Sequence, residues 1–162
     1  MTIINIIVAC DSYKGIGKNN TIPWNNKDDM KLFYKLTKGN KKNAIIMGRK
    51  TWDSLPKKPL PDRENLIMSK TLKDNDNYKT FSYYDDLFKY IKNKDYETIW
   101  IIGGSQIYDY FMSINLVNNI YITRQNGYYN CDTFFIFDES KYKKIEERYI
   151  NNDSNLEIYD LK

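Results

Sequence analysis

Four stretches of this chain are apolar on successive residues rather than on alternate ones, and that pattern constrains the fold most. They are IINIIVAC (Ile3 to Cys10), NAIIMG (Asn43 to Gly48), ENLIMS (Glu64 to Ser69) and TIWIIGG (Thr98 to Gly104). β-Branched residues recur through them, so each reads as a strand, and a strand with no polar face must be covered on both sides. Helical spacing over Asp85 to Asn93 and over SQIYDYFMS, together with the segment IPWNNKDDMKLFYKLTKG, supplies the covers. Strands alternating with helices predict an α/β fold, a mainly parallel sheet flanked by helices. Tyr78 to Tyr83 and NNIYITRQ (Asn118 to Gln125) add further strands. The tail is ambiguous by periodicity: Tyr142 to Ile150 fits a helix, or an exposed strand pairing with Leu156 to Leu161. No repeat or linker interrupts the chain, so residues 1–162 read as a single domain.

Composition narrows the chemistry. The chain has no histidine. That removes Ser-His-Asp and Cys-His catalysis and histidine-containing zinc sites, and leaves acid–base work to a perturbed carboxylate, Lys, Tyr, Cys, substrate or water. Two cysteines without metal-like spacing predict neither a metal site nor a disulfide scaffold. The net charge of +4 is spread over interspersed acids and bases, so no nucleic-acid face is expected. The chain shows no signal-peptide pattern and no transmembrane run, which makes a cytoplasmic, reducing compartment the expectation. Nothing demands more than a monomer.

The strand ends carry the binding signals. In KGIGK, a Walker A loop fails at Ser12 and Asn19, and a Rossmann fingerprint lacks its third glycine, so a loop over the sheet edge is the plainer reading. IIGGSQIY is stronger: a buried strand enters Gly103-Gly104 and then a helix, whose free N–H groups suit a pyrophosphate. A tight turn with no ligand fits it equally well. IIMGRKTW repeats the arrangement with Gly48, Arg49, Lys50 and Thr51. Two such ends in one sheet suggest a dinucleotide across its carboxyl edge. A third strand ends in Ser69-Lys70, whose cation joined to Arg49 favours NADPH over NADH.

Asp28 and Asp29 separate on a helical wheel. With Asp28 at 0°, Leu32, Leu36 and Phe33 fall at about 40°, 80° and 140°, and Asp29 falls at about 100°, within the apolar arc. Asn25 is the expected N-cap, with Asp28 completing a weak capping box. Asp29 then points toward the sheet, where burial raises its pKa unless a cation offsets it. A buried structural hydrogen bond is one role for it. A ligand-facing role is favoured, because Ile22, Leu32 and Phe33 supply the walls of a flat apolar pocket.

Taken in order, IIVAC, GIGKNNTIPW, DDMKLFYKLT, AIIMGRKTWDSLPKKPLPDREN, LIMSK, IWIIGGSQIY, IYITR and CDTFF resemble the dihydrofolate reductase family over nearly the whole chain. The resemblance implies a sheet of about eight strands ending in a C-terminal antiparallel hairpin, which assigns Tyr142 to Ile150 as strand. It implies NADPH-dependent reduction of dihydrofolate to tetrahydrofolate, in support of thymidylate and one-carbon metabolism. Hydride would go to pterin C6, and Asp29 would promote protonation at N5 through water. Thr123 would support Asp29, and Trp24 would hold the water. Ile7, Val8, Phe33 and Leu55 would line the pterin and aminobenzoyl pocket, and Arg63 would bind the glutamate α-carboxylate. Ala9, Ile16 and the loop of Gly15, Gly17, Lys18, Asn19, Asn20 and Thr21 would meet the nicotinamide half. Arg49, Lys50 and Thr51 would hold phosphates, with Ser69 and Lys70 near the 2′-phosphate. Gly103, Gly104, Ser105, Gln106, Ile107 and Tyr108 would receive the pyrophosphate.

Asp62 stands where the family often has glycine, beside Arg63, and Lys57-Lys58 would favour polyglutamylated folate. The competing functions are a riboflavin-pathway reductase of the same fold and a non-catalytic folate- or nucleotide-binding module. The placement of Asp29 within the pterin-pocket pattern argues against the first, and the joint presence of Asp29, Trp24, Arg63 and both anion-ready turns argues against the second.

Overall fold

The computed structural model describes residues 2–162. Its elements in chain order are β1 (Ile3–Cys10), β2 (Gly15–Gly17), α1 (Lys27–Lys38), β3 (Ala44–Gly48), α2 (Arg49–Ser54), β4 (Glu64–Met68), β5 (Lys79–Phe81), α3 (Tyr84–Lys92), β6 (Thr98–Gly103), α4 (Ser105–Ser113), β7 (Asn119–Gln125), β8 (Thr133–Phe134), β9 (Tyr142–Asn151) and β10 (Ser154–Leu161). Eight strands form one sheet in the order β5-β4-β3-β6-β1-β7-β10-β9. Every pairing from β5 to β7 is parallel. β10 runs antiparallel to both β7 and β9, so the C-terminal segment forms a strand hairpin.

The continuous apolar runs are explained by burial on both faces of the sheet. Ile6, Val8, Ala44, Ile46, Leu66, Ile99 and Ile101 face one core, shared with Leu87 of α3 and Ile107, Tyr108 and Phe111 of α4. The intervening residues Ile7, Ile45, Met47, Ile67, Trp100 and Ile102 face a second core, closed by Trp52 of α2 and by Phe33, Tyr34 and Leu36 of α1. Strand alternation therefore sorts one run of sequence between two cores.

This sorting creates the crevice. The neighbouring strands β3 and β6 send their following helices, α2 and α4, to opposite faces of the sheet. Where two adjacent connections part in this way, the carboxyl edge opens between them.

The start of α1 differs from expectation by one residue. Asn26, not Asn25, is the N-cap, and its side chain accepts from the backbone N–H of Asp29. Asp28 is consequently not the third helical residue and completes no capping box; its carboxylate instead accepts from Asn151 Nδ2 at 3.0 Å. Asn25 is exposed, whereas Asn26 is buried and has partners in β7 and β10.

Candidate active site

A cleft of about 620 Å³ follows the carboxyl edge from the end of β1 to the ends of β4 and β5. Its two central turns nearly touch. A Cβ built on Gly48 would lie 3.2 Å from Ile107, and one on Gly103 would lie 3.2 Å from Tyr108 Oη and 3.4 Å from Thr51 Oγ1. Gly103 also has φ of +122°, a region that other L-residues rarely enter. Small residues thus bring the β3–α2 and β6–α4 turns together with backbone lining the cleft. Tyr108 secures this layer from below by donating to the Ile7 carbonyl of β1 at 2.8 Å.

The structure gathers into this cleft Val8, Ala9, Ile16, Gly17, Asn20, Thr21, Arg49, Lys50, Thr51, Ser69, Lys70 and the whole Gly103-to-Tyr108 turn. Arg49 bonds Asp53 through Nε and Thr71 Oγ1 through Nη1, which ties the start of α2 to the loop after β4. The cations at those two strand ends therefore face one end of the cleft. Gly15, Lys18 and Asn19 do not line it. Gly15 is packed beneath Cys131, where a Cβ would come within 2.4 Å of the cysteine Cβ. Asn19 and Asn20, both at positive φ, form a tight turn, and Asn19 N–H donates to Asp132 Oδ2 at 2.9 Å. The KGIGK loop is a short strand, β2, pinned to β8.

Beyond the β1 end of the cleft lies the acid. Ala9 of β1 is in register with Thr123 of β7, so the two side chains share the face that α1 covers. Thr123 donates to Asp29 Oδ1 at 2.6 Å. Burial pushes the Asp29 pKa above the ordinary carboxylate range, and the Thr123 hydrogen bond only partly offsets it. Among the described residues no Lys or Arg forms an ion pair with it.

Ile7 belongs to the second core, with Phe33 and Leu55 partly buried against that core, and Phe33 lies one helical turn after Asp29 on α1. Trp24 is half-buried in the loop before α1, its ring 5.1 Å from that of Tyr129. Arg63 is held on two sides: Nε donates to Pro61 O, and Nη1 donates to Tyr34 O and Thr37 Oγ1. Nη2 is unclaimed among the described residues. Asp62 turns away toward Lys41 at 4.0 Å. Its φ of +64° gives the physical reason why glycine suits that position. Lys58 caps the end of α2 through the Trp52 and Asp53 carbonyls, so of the two adjacent lysines only Lys57 is free of such bonds.

Several lining residues escaped the sequence reading: Ser54, Met68, Ser82, Tyr84, Ile102 and Thr133. Ser82 and Tyr84 follow β5, so the strand-end rule applied to a fourth strand would have found them. Thr133 had no local signal, because pairing with β2 brings it to the cleft.

A sheet wound on both faces, with a long cleft along its carboxyl edge and a half-buried acid beyond its β1 end, defines an α/β enzyme working at that edge. A family model described as dihydrofolate reductase matches residues 3–161. A putative dihydrofolate reductase of Caenorhabditis elegans is 36% identical over 99% of this chain and 91% of its own length. Dihydrofolate reductases of Heliothis virescens and Drosophila melanogaster are 35% and 38% identical, over 95% and 83% of this chain and 90% and 80% of their own lengths. The chain belongs to the dihydrofolate reductase family and is an oxidoreductase.

Proposed function

We propose that the protein reduces 7,8-dihydrofolate to 5,6,7,8-tetrahydrofolate with NADPH. The observation that carries this reading is Asp29, a half-buried carboxylate on the apolar side of α1, hydrogen-bonded to Thr123 and, among the described residues, in no ion pair with a cation. A carboxyl whose pKa is raised keeps its proton to higher pH than a free one and can supply it to pterin N5 through water. Thr123 orients that carboxyl. Ile7, Phe33 and Leu55 hold the flat ring, Trp24 holds the water that relays the proton, and the open edge of Arg63 receives the α-carboxylate of the substrate's glutamate.

The cleft fits NADPH on three structural grounds. The Gly48 and Gly103-Gly104 turns leave room for phosphates beside backbone N–H groups, the nine-residue α4 starts directly after them, and Arg49, Lys50 and Lys70 gather at one end. When bound, NADPH supplies the hydride that goes to C6. The chain's own work is to hold the two ligands at adjoining sites that meet at Val8 and Ala9, and to exclude water. A monomer in a reducing cytoplasm is the setting we infer for this chemistry.

The test is loss of reduced-nicotinamide absorbance on mixing the purified protein with NADPH and dihydrofolate. Asp29→Asn should lose most of its turnover near neutral pH and recover part of it at acid pH, where the substrate enters already protonated. Wild-type turnover in that variant would refute the role of Asp29, and ligand binding without turnover in the parent protein would refute the activity.

A further inference from the structure

Asn26 forms a saturated hydrogen-bond junction that the reaction chemistry above does not use. Its Oδ1 accepts from Asp29 N–H at 3.1 Å and from Asn151 Nδ2 at 3.0 Å. Its Nδ2 donates to Gln125 Oε1 at 2.9 Å and to Ser154 Oγ at 2.8 Å. Ser154 Oγ in turn donates to Asn151 Oδ1 at 2.9 Å, which closes a ring. Asn26, Gln125 and Ser154 are 8%, 5% and 2% exposed, so water competes little for these bonds.

A side-chain amide has two donors and two acceptor sites, and all four are engaged here. Ser, Thr or Asp would cap the helix as well, but an ionised Asp has no donor and a hydroxyl has only one. The amide therefore does more than cap. It joins the first turn of α1 to β7 and to the turn between β9 and β10.

The position of the junction gives it a bearing on catalysis. Gln125 and Thr123 are two residues apart on β7 and share a face, about 7 Å apart along the strand. β7 thus grips the start of α1 at two points, Thr123 on the Asp29 carboxylate and Gln125 on the residue that caps Asp29 N–H. A first helical turn frays readily because its N–H groups lack helical partners. Fraying here would carry the acid away from Thr123, and among the described residues no ion pair would hold it in place.

We propose that Asn26 is a positioning residue for the Asp29 carboxylate, acting by locking the first turn of α1 onto β7 and the β9–β10 turn. The proposal rests on Asp29 being the proton-supplying group.

The experiment compares full-length Asn26→Ala, Gln125→Met, Asp29→Asn and Asn26→Ala/Asp29→Asn. Steady-state turnover is measured with NADPH and dihydrofolate, and melting temperature is recorded for each. Loss of a cap shifts a local equilibrium by about fivefold, so kcat in Asn26→Ala should fall measurably, by up to about that factor according to how far the first turn already frays. KM for NADPH should stay unchanged, because neither the three ring residues nor Gln125 line the cleft. Gln125→Met keeps the cap and cuts the link to β7, and should lower kcat in the same direction. In the Asp29→Asn background, Asn26→Ala should cause no further loss of residual turnover.

A lowered melting temperature with wild-type kcat would make the junction merely structural and overturn the proposal. An equal loss of kcat in both backgrounds would overturn it as well. If Asn26→Ala does not fold, Gln125→Met alone decides by the same readouts. Wild-type turnover in Asp29→Asn overturns the reading of the acid itself, whereas wild-type kcat in Asn26→Ala beside an inactive Asp29→Asn overturns only the positioning role.

Discussion

Replacing Thr123 with Val removes the hydroxyl that donates to Asp29 while keeping close to the same side-chain size. Thr123 is 4% exposed, so water does not readily replace the lost donor. The 2.6 Å bond is charge-assisted when Asp29 is ionised, and such bonds contribute about 1.5–3 kcal/mol against about 0.5–1.5 for neutral ones. The direction with pH follows from linkage. Burial raises the folded-state pKa of Asp29 above the ordinary 3.8, so the stability linked to this group is full below that value and lost as pH rises through the folded pKa. Thr123 opposes that rise, so Thr123→Val lifts the folded pKa further. The variant should therefore be mildly destabilised in acid, where Asp29 is protonated in both states. Its deficit should grow with pH and level off above the variant's own pKa. For a urea slope of about 2 kcal/mol/M, a 2 kcal/mol deficit lowers the midpoint by about 1 M. Urea unfolding at a series of pH values reads this directly, and the alkaline limb of turnover should move to higher pH in parallel. A deficit that does not vary with pH would refute the hydrogen bond to an ionised Asp29.

Asp29→Asn removes a half-buried carboxylate whose ionised form is disfavoured by desolvation, so it should stabilise the fold at neutral pH even as turnover collapses, and the gain should vanish in acid; thermal melts across pH check the sign. Asp28→Asn keeps an acceptor for Asn151 and loses only charge near a helix start, so stability should change by less than about 1 kcal/mol with kcat unchanged. Gly103→Ala forces a side chain into φ of +122° and against Tyr108 Oη, which should cost about 1–3 kcal/mol by urea unfolding and weaken NADPH in titration. Arg63→Lys loses the planar edge, so KM for dihydrofolate should rise with little change in kcat, and an analogue lacking the glutamate should show no difference.

The sequence was most legible where one local pattern admitted one physical solution. Runs such as IINIIVAC and TIWIIG have no polar face, so they demanded cover on both sides. Two cores with β-strand alternation between them satisfy that demand. Asp29 was legible for a similar reason. A period of 3.6 residues places it among Leu32, Leu36 and Phe33 whatever those residues pack against. By contrast, Tyr142 to Ile150 carries charge on both sides and became strand only through its ladder with β10.

The two asparagines before α1 mark the boundary most sharply. Asn25 and Asn26 have the same capping chemistry, so local reasoning chose between them wrongly. The decision rests with Gln125 and Ser154, which lie 99 and 128 residues further along the chain. Thr133 in the cleft and Cys131 over Gly15 are likewise placed by pairing between distant segments. By itself the sequence determined which segments become strands and helices, and which aspartate turns inward, because periodicity and side-chain chemistry act over a few residues. Only the tertiary structure decided which asparagine caps the helix, which loop residues reach the cleft, and what holds Asp29 in place. Those choices depend on donors and acceptors that meet only when the sheet has assembled.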